Sequence, residues 1–132
     1  MRTIICAVLT ALAIATANAA VQEDVHSARS MLPYCKLTKE RAASSAGEAL
    51  RLGQCVGIVE GVSQMFQLLS EAQAAGTVQL DPLLCTSIPV GITTQQLVDV
   101  VVKYGETFPE LTRRPFTVLV MSAMRVAWPC GK

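Results

Sequence analysis

The sequence is short of the side chains that carry most enzyme chemistry. Its 132 residues hold a single histidine, His26, with one Trp, two Tyr and three Phe. A Ser or Cys triad needs a histidine beside the nucleophile, and His26 lies in a short N-terminal segment that suits a solvated or hydrogen-bonded role. No C-x-x-C pair and no His-Cys cluster at ligand spacing occurs, which disfavours zinc and thioredoxin-type redox chemistry. Neither G-x-G-x-x-G nor G-K-[ST] is present, so a nucleotide phosphate has no cradle. Charged residues make up 16% of the chain, too few to argue a carboxylate pair of the glycosidase kind. Lys and Arg nowhere cluster, which excludes the basic footprint of a nucleic-acid or anionic-membrane binder. No catalytic residue, metal ligand or cofactor is assigned, and the reading is of a binding protein rather than an enzyme.

What the chain has begins with "MRTIICAVLTALAIATANAA". Arg2 is a short basic start, residues 4–15 are apolar, and Ala17-Asn18-Ala19 is a small-residue cleavage site. The apolar run falls short of the ~20 residues of a bilayer span. Residues 1–19 therefore read as a signal peptide, which carries Cys6 away with it. Residues 20–132 read as one domain, 132 − 19 = 113 residues long. Losing Arg2 leaves 11 − 1 = 10 basic residues against 10 acidic ones, a net charge of zero. The expected location is the periplasm, with no membrane attachment after cleavage.

Four cysteines remain: Cys35, Cys55, Cys85 and Cys130. An even number behind a signal peptide reads as two disulfides. The favoured pairing is Cys35–Cys130 with Cys55–Cys85, since Cys35 ends the first helix and Cys130 ends the chain. The rival is Cys35–Cys55 with Cys85–Cys130.

Hydrophobic spacing predicts an all-α protein, a small bundle of four to five helices. A short helix over residues 22–32 is closed by Pro33, and a polar connector follows. Ser45-Ala-Gly-Glu48 is a capping box that opens a long helix. Its seam is Leu52, Cys55, Val59, Val62, Phe66 and Leu69, and Gly76 stops it. Residues 77–92 form a loop pinned by Cys85. A second capping box, Thr93 to Gln96, starts a helix with Leu97, Val98, Val101, Tyr104 and Gly105 on one face. After the polar turn "ETFPELTRR", Pro115 suits the first position of a last helix built on Phe116, Leu119, Val120, Ala123, Met124 and Ala127. Val118 and Met121 lie off that face, which suggests deep burial or a dimer contact. Glu60 is a candidate half-buried carboxylate, more often a hydrogen-bonded residue at a helix crossing. Within the long helix, "GQCVGIVEG" places Gly53, Gly57 and Gly61 four residues apart. Interior glycines cost ~1 kcal/mol each relative to Ala, so a close neighbour is expected: another helix of the domain, or a dimer mate.

Four segments together, "MLPYC", "GQCVGIVEG", "CTSIPVGITTQQLVDVVVKYGETFPELTRRP" and "AWPC", resemble the Rap/Tai family of periplasmic immunity proteins. The resemblance runs from about Met31 to Cys130. It implies a small helical periplasmic protein with disulfides, a homodimer in the characterised members, and a cell-wall amidase effector of type VI secretion as partner, inhibited by a loop pushed into its cleft. By position, the candidate loops are the polar turn, with Glu106, Glu110, Arg113 and Arg114 as contacts, and the long loop before Thr93. The competing readings are a helical periplasmic stress or chaperone-like protein without an effector, against which the low charge argues, and a carrier of an apolar ligand.

Overall fold

The computed structural model describes residues 26–40 and 43–130. The expected signal peptide and its cleavage site lie outside the described residues. The described residues form four helices: α1 (Ala28–Glu40), α2 (Ala46–Ala74), α3 (Thr94–Thr107) and α4 (Phe116–Ala127). Turns of 3-10 helix occupy Pro82–Leu84 and Pro109–Arg113. Among the described residues there is no strand, only two isolated bridges, Ser27 with Pro115 and Thr86 with Pro129. The fold is an all-α bundle with two disulfides, as the spacing predicts.

Helix α1 differs from expectation, because it runs through Pro33 and continues to Glu40. Proline removes one helical N–H, whose acceptor would be the carbonyl of Arg29, four residues back. Arg29 and Pro33 are both on the exposed side, so water can satisfy that carbonyl. Ala28, Met31, Leu32 and Cys35 meanwhile form one buried stripe, and burying it outweighs the missing bond. Ser27 accepts from the Ser30 amide at 3.3 Å and starts the helix.

Helix α2 starts at the expected cap, with the Ser45 hydroxyl accepting from the Glu48 amide at 3.2 Å. The reciprocal half of the box is shifted by one residue. The Glu48 carboxylate accepts from the amide and hydroxyl of Ser44, at 2.8 and 2.6 Å. These bonds lower its pKa from the ordinary value. The helix ends in a Schellman turn, with Gly76 at φ +71 and the Thr77 amide bonded to the Ala72 carbonyl at 3.0 Å. Helix α3 has the full capping box between Thr93 and Gln96. Helix α4 begins one residue later than expected. Pro115 precedes the first turn in extended conformation and serves the bridge to Ser27, where Ala28 donates to the Arg114 carbonyl and Phe116 to the His26 carbonyl, both at 2.9 Å.

The core gathers one face of every helix: Ala28, Met31, Leu32 and Cys35 from α1, Cys55, Val59 and Phe66 from α2, Leu97, Val98, Val101 and Val102 from α3, and Phe116, Leu119, Val120, Ala123 and Met124 from α4. Each fully buried large side chain contributes roughly 1.5–3 kcal/mol. Of the two residues set off the α4 face, Met121 packs partly against this core while Val118 is exposed. Between α2 and α3, Thr94 donates to the half-buried Glu60 carboxylate, so Glu60 is a bonded crossing residue.

The disulfides are Cys35–Cys55 and Cys85–Cys130, which corrects the favoured pairing to its rival. Continuation of α1 past Pro33 is the reason. It holds Cys35 in mid-helix, opposite Cys55 on α2 at a Cα separation of 5.5 Å, away from the chain end. The C-terminus instead returns to the loop after α2. There Ser87 donates to the Trp128 carbonyl at 2.9 Å, and Cys85 and Cys130 lie 5.6 Å apart.

The glycine that admits a close neighbour within the chain is Gly105. A Cβ there would stand 2.6 Å from Leu32 Cδ1 and 3.4 Å from Leu119 Cδ2. At Gly53, Gly57 and Gly61 an added Cβ would meet nothing within 4 Å. The partner helix expected from the same domain is therefore not there, because all three glycines point outward. Gly105→Ala must displace the Leu32 side chain, and overpacking of about 1–3 kcal/mol, less the roughly 1 kcal/mol that Ala gains over Gly inside a helix, is expected to lower the urea midpoint slightly. The double variant Cys85→Ser/Cys130→Ser is expected to lose about 2–4 kcal/mol and to retain its helical circular dichroism, because this bridge ties a loop to the chain end rather than helix to helix.

Candidate functional site

His26 is exposed, and among the described residues no three His, Cys, Asp or Glu side chains are grouped to hold a metal. The conspicuous surface feature is the end of the loop between α2 and α3. Its base is fixed at four points. Cys85 is bridged to Cys130, Thr86 pairs with Pro129, Ser87 bonds to Trp128, and Ser70 on α2 donates to the Thr86 carbonyl at 3.4 Å. Above that base, Ile88 and Ile92 both pack against the core. Between them the chain turns outward through Pro89, Val90 and Gly91. Gly91 has φ +82, in the left-handed region where a side chain would be strained. Immediately after Ile92, the Thr93 cap locks the chain into α3.

The outcome is an apolar side chain held in water on a mount anchored on both sides. Val90 has 102% of its reference accessible surface. Nothing in the folding of this chain gains from that exposure, and an ordered tip carries little entropy cost when a partner closes over it. Beneath the mount, Thr86 is buried and its hydroxyl has no hydrogen-bond partner among the described residues.

The second candidate surface follows α3. Glu106 is exposed and pairs with Lys36 of α1 at 2.7 Å. The Lys36 hydrogen bond, then its charge, hold the Glu106 carboxyl below its ordinary pKa. Glu110 and Arg113 are exposed on the Pro109–Arg113 turn, and Arg114 is exposed with its carbonyl engaged by Ala28. Leu111 packs that turn against the core, and the Phe108 ring lies tilted against Tyr104 with ring centroids 4.8 Å apart. Chain position thus brings these four charges into one ordered stretch. A 14-residue helix is about 20 Å long, so this surface and the Val90 tip sit at opposite ends of α3.

Sequence reasoning named this loop as one of two candidates, without singling out Val90. The signal was available in "IPVGI": an apolar residue between proline and a turn glycine, flanked by two isoleucines. Alternation of inward isoleucines with an outward valine is only apparent once the core side of the loop is known.

An apolar cavity of about 480 Å³ lies between α1, α2 and the start of α4, lined by Met31, Gly57, Ile58 and Phe116, with His26 and Gln54 at its rim. It adjoins the outward face of α2 and is separate from the Val90 tip along the chain.

The comparisons with known proteins agree with the resemblance carried by the sequence. A model of the family described as Rap1a immunity proteins matches residues 27–130. That span takes in the four helices, both disulfides and the Pro89–Gly91 turn. No curated protein and no solved structure gives a significant match. Matched over most of its length, the chain belongs to the Rap1a immunity protein family.

Proposed function

We propose that this immunity protein acts in the periplasm by binding a peptidoglycan amidase effector of type VI secretion and filling its catalytic cleft with the Pro89–Val90–Gly91 tip. The observation that carries the reading is Val90, fully exposed on a loop fixed by a disulfide and two core-anchored isoleucines. A tip that enters a cleft must be narrow, ordered before contact and apolar at its end. Affinity then concentrates in the few side chains that are desolvated. The charged turn from Glu106 to Arg114 fits a rim role, where ion pairs steer approach more than they add affinity.

Family membership supports an immunity role with a toxin as partner. The amidase identity rests on the resemblance of the four motif segments, and so does a homodimeric working form. Export rests on the N-terminal signal pattern, and two disulfides suit an oxidising compartment. In this reading the chain needs no cofactor and performs no catalysis. A stress-chaperone role is less well supported, because 16% charged residues give little for a charge-driven client switch to act on.

The test is inhibition of peptidoglycan cleavage by a candidate amidase effector, with the mature, oxidised chain as inhibitor. Val90→Asp is expected to weaken inhibition by about 30- to 1000-fold, the range of a hot-spot loss of about 2–4 kcal/mol, with an unchanged melting temperature. Glu106→Ala and Arg113→Ala are expected to act mainly on the association rate and its salt dependence. Undiminished inhibition by Val90→Asp would place the contact elsewhere, and absence of any complex with the amidase would remove the reading.

A further inference from the structure

We infer that the Cys85–Cys130 bridge is a redox switch for the Pro89–Val90–Gly91 tip. In the disulfide form the tip is held ordered. In the dithiol form it loosens while the helix bundle stays folded. The inference deepens the reading of that tip as the effector contact, and its consequence for inhibition rests on that reading.

The two bridges of this chain are set differently. Cys35 and Cys55 join α1 to α2, and both are fully enclosed. A reductant reaches that sulfur pair only if the two helices part. Cys85 and Cys130 lie outside the helices, one in the loop after α2 and the other past the end of α4. Both are partly exposed, and Leu84 and Ser87 near Cys85 are exposed. Exchange requires a thiolate to touch a sulfur, so access selects the target. A dithiol reductant therefore meets the second bridge first.

The exchange balances with that reductant alone. One of its thiolates attacks a sulfur of the bridge, forms a mixed disulfide and expels the other cysteine as a thiolate. Its second thiolate then attacks the reductant's own sulfur in the mixed disulfide. That closes the reductant's disulfide and releases the second cysteine thiolate. Two electrons pass from the dithiol to the bridge, and the two protons lost by the reductant's thiols are taken up by the cysteines. A disulfide oxidant runs the same steps backwards. The reduced form has a place in the structure, because Gln73 Oε1 lies 3.8 Å from Cys85 Sγ and can accept from the S–H that reduction creates.

What the bridge restrains sets the effect. Thr86 is 3% exposed, and its hydroxyl has no hydrogen-bond partner among the described residues. A buried hydroxyl left unsatisfied is costly, and parting Thr86 from Pro129 would give it water. The covalent bond next to this pair holds it closed against that bias. With the bridge open, the polar ties left on this side are the Ser87–Trp128 bond at 2.9 Å and the longer Ser70–Thr86 bond at 3.4 Å. Single hydrogen bonds contribute little net against water, and Ile88 is only half-buried. On the other side the Thr93 cap is untouched. The tip is then firmly held at one end instead of two.

A loosened tip must be ordered again when a partner closes over it, which lowers affinity. Linkage makes the effect mutual: the factor by which reduction weakens binding is the factor by which a bound effector favours the disulfide. The chain becomes a full inhibitor only where its thiols are oxidised.

The experiment titrates the mature, oxidised protein with dithiothreitol, traps free thiols by alkylation and maps them by peptide mass. Cys85 and Cys130 are expected to be labelled while Cys35–Cys55 stays bridged and the helical circular dichroism is unaltered. In that half-reduced form the backbone order parameters of Val90 and Gly91 are expected to fall from about 0.85 to below about 0.6. With reductant removed, inhibition of the candidate amidase should be about 5- to 150-fold weaker. Cys85→Ser/Cys130→Ser is expected to reproduce both changes and to ignore the reductant. Opening of both bridges together, opening of Cys35–Cys55 first, or a tip equally ordered in the two forms would each overturn the inference. So would undiminished inhibition by the half-reduced form when Val90→Asp does weaken it. An oxidised chain that does not inhibit at all removes the proposed function instead, and the labelling and order parameters then decide the switch by themselves.

Discussion

The buried contact between Cys35 and Cys55 decides how the rest of the molecule is arranged. Both residues are fully enclosed where α1 crosses α2. A helix is a rigid cylinder, so fixing the direction of Cys55 fixes that of every other residue on α2. Val59 and Phe66 follow it into the core. Gly53, Gly57, Gly61, Leu50 and Leu68 are turned to the opposite side. Helix α2 has 29 residues and apolar residues on both flanks, so hydrophobic pattern alone does not choose which side is inward. The covalent link removes that freedom.

Much of the architecture was legible from local chemistry. Ser45, Thr93 and Gly76 mark helix ends by side-chain and backbone rules that act within four residues, and all three mark ends in the structure. The seams of α2, α3 and α4 follow from spacing. Misreadings came where tertiary burial overrode a local penalty. Pro33 is a helix breaker only if nothing repays the lost hydrogen bond, and the stripe from Ala28 to Cys35 repays it. The favoured disulfide pairing failed with it, since it took Cys35 to be the end of a helix. The glycines are a different case. Gly53, Gly57 and Gly61 drew attention by their regular spacing, whereas the close contact inside the chain belongs to the isolated Gly105, which no periodicity announces.

The candidate site was legible only as a region. Residue types that mark a catalytic centre do so in any fold, whereas a binding tip is made of ordinary residues in an extraordinary position. Valine at 90 becomes informative through Ile88 and Ile92, whose inward direction depends on a core drawn from all four helices. The charged turn stood out sooner because its residues are polar, yet Glu106 is already engaged with Lys36 and would give up that pair to serve a new one.

The two bridges join neighbours in order along the described chain, Cys35 to Cys55 and Cys85 to Cys130. They are neither nested nor interlaced. A chain that emerges amino end first and is oxidised as it appears finds each correct mate before any competitor arrives. Cys35 and Cys55 can close while Cys85 is still to come, and Cys130 then meets a single remaining thiol. Thiol–disulfide reshuffling is slow compared with helix formation. In that order of closure neither bridge has to be broken for the other to form.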